Sequence, residues 1–150
     1  MTLEEITPYL HEHIPLSREL HAVAEAWDGA SVRLGAPLAP NINHRSTAFG
    51  GSLSALAILS GWVLVHLALR ERGLETWLVI QRSEFDFEKP VDGDFTATTA
   101  LPPAAEWDRF LATLKRHRRA RVSVTTSLRS AAGVVGAHRG AYVAVVPPGP

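Results

Sequence analysis

The stretch Ser52–Leu69 (SLSALAILSGWVLVHLAL) carries no formal charge and no proline. Leu and Ala dominate it, and both are compatible with helix. Arg70, Glu71 and Arg72 return the chain to water, and Gly73 follows where helices commonly stop. The sequence therefore predicts a helix that opens at Gly50 to Ser52 and is apolar nearly all round. Such a helix must be wrapped rather than laid on a surface. Its length approaches the ~20 residues that cross a bilayer. Ser52, Ser54, Ala55, Ala57, Ser60 and Gly61 nevertheless stud it with small side chains suited to close packing on another backbone. The chain on both sides also reads as strands in need of an apolar cover. The expectation is a buried core helix and no membrane partner.

Thr2 to Glu12 reads as a helix despite Pro8, with Thr2 and Glu5 at capping-box spacing and Leu3, Ile6 and Leu10 on one face. Ile14-Pro15-Leu16 reads as a connector. Asp28-Gly29 is a hairpin signal between Leu20–Trp27 and Ala30–Leu38, and in the second arm Val32 and Leu34 alternate with Ser31 and Arg33. Pro37 and Pro40 stop that arm. Beyond the apolar helix, Thr76–Phe87 is β-rich, with Trp77, Val79, Phe85 and Phe87 on one parity, and Lys89–Asp94 is a turn cluster. A strand begins at Phe95. Ala104–His117 places Trp107, Phe110, Leu111 and Leu114 at helical spacing. Val122–Leu128 and Gly140–Val146 supply the last strands. A hairpin, a long apolar helix and about four antiparallel strands satisfy one another if the sheet curls around the helix, an α+β fold in a single domain over residues 1–150.

Composition narrows the function classes. The 15 basic and 15 acidic residues cancel, so overall charge argues for no nucleic-acid partner. There is no cysteine, hence no disulfide framework and no thiolate chemistry. None of the seven histidines has a carboxylate or second histidine at convincing ligand spacing, and no metal is expected. His66, on the apolar helix, is expected to be packed or hydrogen-bonded in the core. Met1–Glu5 lacks a signal-peptide pattern, which makes the cytoplasm the expected location.

Two stretches can carry chemistry. Asn41, Asn43, His44, Arg45, Ser46 and Thr47 form a polar mouth before Gly50-Gly51. A glycine pair opening a helix presents free N–H groups at the positive end of the helix dipole, which suits an oxyanion or a polarised carbonyl. Asn43 is placed either to donate an amide N–H to the same oxygen or to serve the turn. The basic run Lys115-Arg116-His117-Arg118-Arg119-Ala120-Arg121 is either a phosphate contact or a solvated loop.

Ala39-Pro40-Asn41-Ile42-Asn43, Thr47-Ala48-Phe49-Gly50-Gly51-Ser52 and Ser60-Gly61-Trp62 resemble the hotdog-fold acyl-thioester enzymes, and among them the thioesterase-like family named after the C-terminal domain of YiiD. The resemblance implies an antiparallel sheet around a central helix, a homodimer or higher oligomer, and an acyl site between subunits. It implies that Asn43 and the N–H of Gly50 address the thioester carbonyl, with Thr47, Phe49, Gly51, Ser52, Ile58 and Trp62 around the substrate. It also implies Arg116, Arg118, Arg119 and Arg121 near the phosphates of coenzyme A or of carrier-bound phosphopantetheine. No cofactor is implied beyond that substrate carrier. Many hotdog thioesterases have a histidine where Phe49 stands and an acid where Ile58 stands, eight residues past Gly50. No acid occurs from Ser52 to Leu69. Hydrolysis would have to recruit Glu84, Asp86 or His44, whereas decarboxylation of a malonyl thioester needs no protein base to start. The expectation is therefore decarboxylation of malonyl-acyl-carrier protein to the acetyl thioester that primes fatty-acid synthesis, ahead of thioester hydrolysis. A non-catalytic acyl-thioester-binding module is the reading from another class.

Overall fold

A computed structural model describes residues 1–149. The apolar stretch forms one helix, α3 (Gly50–Arg70). Leu56, Ala57, Leu64, Val65 and Ala68 are all fully buried, so side chains from every side of the helix are covered. Its end is closed by Gly73 at φ 68°, with the N–H of Leu74 donating to the Leu69 carbonyl and that of Gly73 to Arg70. This pairing satisfies carbonyls that the last turn would otherwise leave open.

The cover is a six-stranded antiparallel sheet, in spatial order β1-β2-β4-β5-β6-β3. Its members are β1 (Val23–Trp27), β2 (Ser31–Ala36), β3 (Trp77–Phe87), β4 (Phe95–Ala100), β5 (Arg119–Ser130) and β6 (Gly133–Val145). The β1–β2 hairpin turns at Gly29, φ 89°, where the Asp28 carboxylate accepts the N–H groups of Ala30 and Ser31. Those bonds hold the Asp28 carboxyl below its ordinary pKa. Val32 and Leu34 are buried and Arg33 is exposed, as alternation requires. α1 (Leu3–His13) keeps Pro8 inside it, and its Ile6 and Leu10 join the core. At its start the Thr2 N–H donates to the Glu5 carboxylate at 2.7 Å. The expected connector at Ile14–Leu16 instead leads straight into a one-turn helix, α2 (Leu16–Glu19). α4 (Ala104–His117) buries Trp107, Phe110 and Leu114, the face its spacing predicted.

Helix and sheet are locked by polar contacts as well as by apolar ones. Ser60 Oγ lies 2.8 Å from Thr99 Oγ1, which lies 2.6 Å from Thr126 Oγ1, and all three residues are fully buried. Tyr142 donates its hydroxyl to the Ile58 carbonyl at 2.7 Å, and burial pushes its pKa well above the ordinary value. Gly61 is small of necessity, because a Cβ there would collide with the Tyr142 hydroxyl.

One expectation about faces fails. Trp77, Val79, Phe85 and Phe87 do not share a side of the sheet, because the β3–β6 register shifts between Ile80 and Arg82. The extra residue inverts the alternation. Leu78 before the shift is buried, while Trp77 and Val79 are 62% and 59% exposed on the outer face. After the shift Ser83, Phe85 and Phe87 face the helix, and Arg82, Glu84 and Asp86 face out.

Candidate active site

The α3 N-terminus is assembled from its flanking loop. Asn41 is buried, and its Nδ2 donates to the carbonyls of Leu20 (2.9 Å) and Pro37 (2.8 Å). Its own carbonyl accepts the Phe49 N–H, and the Ala48 N–H donates to Val91, so both ends of the loop are pinned. Between them Asn43 Oδ1 accepts the N–H groups of Arg45 (2.8 Å) and Thr47 (3.1 Å), and Ser46 sits at φ 61°. This is the turn role that the sequence left open, and it consumes the side-chain oxygen. The amide nitrogen is less committed. It donates to Thr47 Oγ1 at 2.9 Å, while its second contact, the Ala48 carbonyl, lies at 3.5 Å, long for a hydrogen bond. Asn43 therefore keeps a donor that a closer oxygen can take.

Phe49 precedes α3 in extended backbone (φ −62°, ψ 132°). Its carbonyl accepts the N–H groups of Ser52 and Leu53, so Ser52, which is buried, has no free backbone donor. Among the described residues the N–H groups of Gly50 and Gly51 have no backbone acceptor. Their surroundings are aromatic. The Phe49 ring folds over Gly51, and the Phe87 ring lies 3.2 Å from where a Gly50 Cβ would stand. Both rings are more than half exposed, and Phe87 stacks on Phe85 at 4.1 Å. A groove of about 370 Å³ opens here, lined by Thr47, Ala48, Gly50, Leu53 and Phe87, with Glu88, Lys89, Pro90 and Val91 along its other side.

Ile58 and Trp62 lie further along α3 on its half-open face. Trp62 is fixed, donating its indole N–H to the Leu78 carbonyl at 2.9 Å and stacking on His66 at 4.6 Å. His66 stacks in turn on Tyr9 of α1. His66 is thus packed, but its Nε2 has no hydrogen-bond partner. Burial, with Arg70 and His13 nearby, holds its pKa down at about 4, so the ring is neutral at physiological pH.

The basic run is not a loop. Arg116 lies in the last turn of α4, Arg118 caps that helix in left-handed backbone at φ 58°, and Arg119 and Arg121 begin β5. The Arg118 guanidinium donates to the Pro147 carbonyl at 2.6 Å. Arg119 pairs with Val145, which pairs with Trp77. The run thus lies beside one end of β3 and Gly50 beside the other, ~33 Å apart at the rise of an extended strand. One chain alone does not bring them together. Of the proposed recruits for a base, Glu84 pairs with Arg82 and faces outward with Asp86, and His44 is exposed on the loop. None lines the groove. Glu88 and Lys89 do, although the sequence marks Lys89 only as the start of a turn cluster and does not single out Glu88. Among the described residues no group of three or more His, Asp or Glu residues converges to hold a metal.

Residues 3–146 match the model of the YiiD C-terminal family, described as "Putative thioesterase (yiiD_Cterm)". The chain belongs to this family. Similar solved structures include a protein "with unknown function" from Chlorobaculum tepidum, 27% identical with a TM-score of 0.91 over 96% of this chain and 94% of that one. Another is a "putative thioesterase" from Shewanella oneidensis, 26% identical with a TM-score of 0.86 over 97% of each chain. A "probable thioesterase" from Pseudomonas aeruginosa, 23% identical with a TM-score of 0.80 over 96% of each chain, shares the fold. The arrangement of sheet and helix is the hotdog fold expected from the sequence. As its small residues and flanking strands predict, the α3 stretch is core rather than membrane span, with 72% of its most apolar window buried.

Proposed function

We propose that the protein acts on acyl thioesters, and that its reaction is decarboxylation of a malonyl thioester carried by acyl carrier protein or coenzyme A. The observation that carries this reading is the pair of unpartnered N–H groups at Gly50 and Gly51, set in an aromatic groove that holds no fixed base. Decarboxylation moves the electrons of the breaking C–C bond onto the thioester carbonyl, releasing carbon dioxide and leaving an enolate that takes its proton from solvent. What the protein must supply is stabilisation of the enolate oxygen, which the Gly50 N–H and the spare Asn43 amide provide. Phe49, Phe87 and Leu53 keep the reacting centre among apolar groups. Lys89 offers a cation at the rim for a substrate that carries a carboxylate. Malonyl thioester converted to acetyl thioester, with the thioester bond intact by mass spectrometry, is the expected result. Release of free carrier thiol without decarboxylation would sink it.

Glu88 favours hydrolysis as a second reading, since a carboxylate at the groove can activate water. It is exposed and makes no ion pair among the described residues, so nothing fixes it for that task. Absence of turnover on any thioester, with binding retained, would leave the non-catalytic module.

We also propose a homodimer formed along β3. This strand is 11 residues long, ends the sheet and leaves one edge unpaired, with Trp77, Val79 and Phe87 more than half exposed. A long open edge of this kind is a template for pairing. Antiparallel pairing reverses the strand direction, so it carries one copy's Arg119 end toward the other copy's groove. That is the arrangement in which the basic run serves the phosphates of a bound substrate. Sedimentation equilibrium should give twice the chain mass, and a monomer at all concentrations would remove this arrangement.

A further inference from the structure

A polar pair lies on the helix side of β3, away from the groove. Ser83 Oγ is 2.7 Å from His138 Nε2. His138 is 1% exposed and its Nδ1 has no hydrogen-bond partner, whereas Ser83 is exposed on the edge strand of the sheet. Burying an imidazole with an orphan nitrogen is costly, and such a group asks for an explanation. Packing alone does not give one, because an apolar side chain at this position would leave no atom unsatisfied.

The location adds to the case. α3 runs antiparallel to β3: Gly50 meets Phe87, and Trp62 meets Leu78. Ser83 is four residues before Phe87, ~13 Å along the strand, and Ile58 is eight residues after Gly50, ~12 Å along the helix. Ser83 thus stands at the level of Ile58, the helix position without an acid. Phe85, stacked on Phe87, joins the two levels by an apolar track, and its ring lies 6.1 Å from that of His138.

We infer that Ser83 and His138 form a second reactive centre, a serine hydroxyl activated by a buried histidine, which accepts acyl groups from activated esters and thioesters. Among the described residues His138 is the only side chain hydrogen-bonded to the Ser83 hydroxyl, the relation a nucleophile needs with its base. Burial lowers the His138 pKa, which favours the neutral ring over the charged one. As Ser83 Oγ bonds to the acyl carbon, its proton passes to His138 Nε2. The carbon–sulfur bond then breaks, and the leaving thiolate takes that proton from His138. Water reverses the same steps at the Ser83 ester, giving a carboxylic acid and restoring the hydroxyl. No acid stands behind His138 among the described residues, so the pair works as a dyad without the third member that orients a triad histidine.

The test uses a fluorophosphonate, which labels activated serines and is not a thioester. Its outcome is therefore independent of the decarboxylation reading. Intact-mass and peptide analysis should find one phosphonyl group on Ser83, absent from Ser83→Ala. His138→Gln should slow labelling at least tenfold, with far-UV circular dichroism confirming that the fold is kept. If that variant fails to fold, Ser83→Cys supplies the second measurement: a thiol here should be acylated by acetyl-pantetheine thioester faster than a free thiol. Absence of label, label on another residue, labelling unchanged by His138→Gln, or a Ser83→Cys thiol no faster than a free one would overturn the inference.

Discussion

Gly50→Pro should reduce turnover of the thioester substrate ~100- to 1,000-fold, the loss typical when one oxyanion donor is removed, while barely changing stability. Gly50 is the first residue of α3, where proline is well tolerated because that N–H has no helical acceptor to lose. The residue before a proline must be extended, and Phe49 already is, at ψ 132°. The ring does approach Phe87, but that side chain is 56% exposed and free to yield. The substitution thus removes one hydrogen atom from the chemistry and little from the fold. Steady-state kinetics with a thermal melt separates the two effects. Turnover within a factor of three of the parent would show that this N–H does not touch the reacting carbonyl.

Asn43→Asp should be at least as severe. The two oxygens of aspartate keep the acceptor for the N–H groups of Arg45 and Thr47, so the turn survives. The amide donor is lost, and a negative charge takes its place where the enolate oxygen develops its own. We expect ~1,000-fold or more off the turnover number, given that one donor alone is worth about 3–4 kcal/mol. Asn43→Ala is the less informative change, because it dismantles the loop together with the donor. A full rate from Asn43→Asp would place the carbonyl elsewhere.

The helix at the centre was legible because an uncharged stretch from Ser52 to Leu69 has few homes, and the glycines at each end mark where it starts and stops. The hairpin at Asp28-Gly29 and the buried face of α4 were legible for similar reasons: local turn chemistry and helical spacing each point one way. β3 was not. Its first half, Trp77-Leu78-Val79-Ile80, is apolar on both parities, and the inverted alternation beyond it shows only once the strand is paired with β6. The basic run looked like one unit because charge is read along the chain, yet left-handed backbone at Arg118 divides it between a helix and a strand. The sequence singles out Asn43 and the glycine pair, but that the Asn43 oxygen serves the turn while its amide is less committed depends on how the loop folds. Glu88 and Lys89 reach the groove because β3 ends at Phe87 beside Gly50, a meeting of residues distant in sequence. Ser83 and His138 meet across 55 positions, and nothing local marks either one.

The most direct test of the central claim is a crystal structure with a malonyl-pantetheine analogue in which a non-cleavable group replaces the thioester sulfur. The account predicts its carbonyl oxygen ~3 Å from the backbone nitrogen of Gly50 and from Asn43 Nδ2, within hydrogen-bond range of both, with the malonyl carbons between Phe49 and Phe87. A carbonyl bound away from the start of α3, with Gly50 and Asn43 untouched, would contradict it.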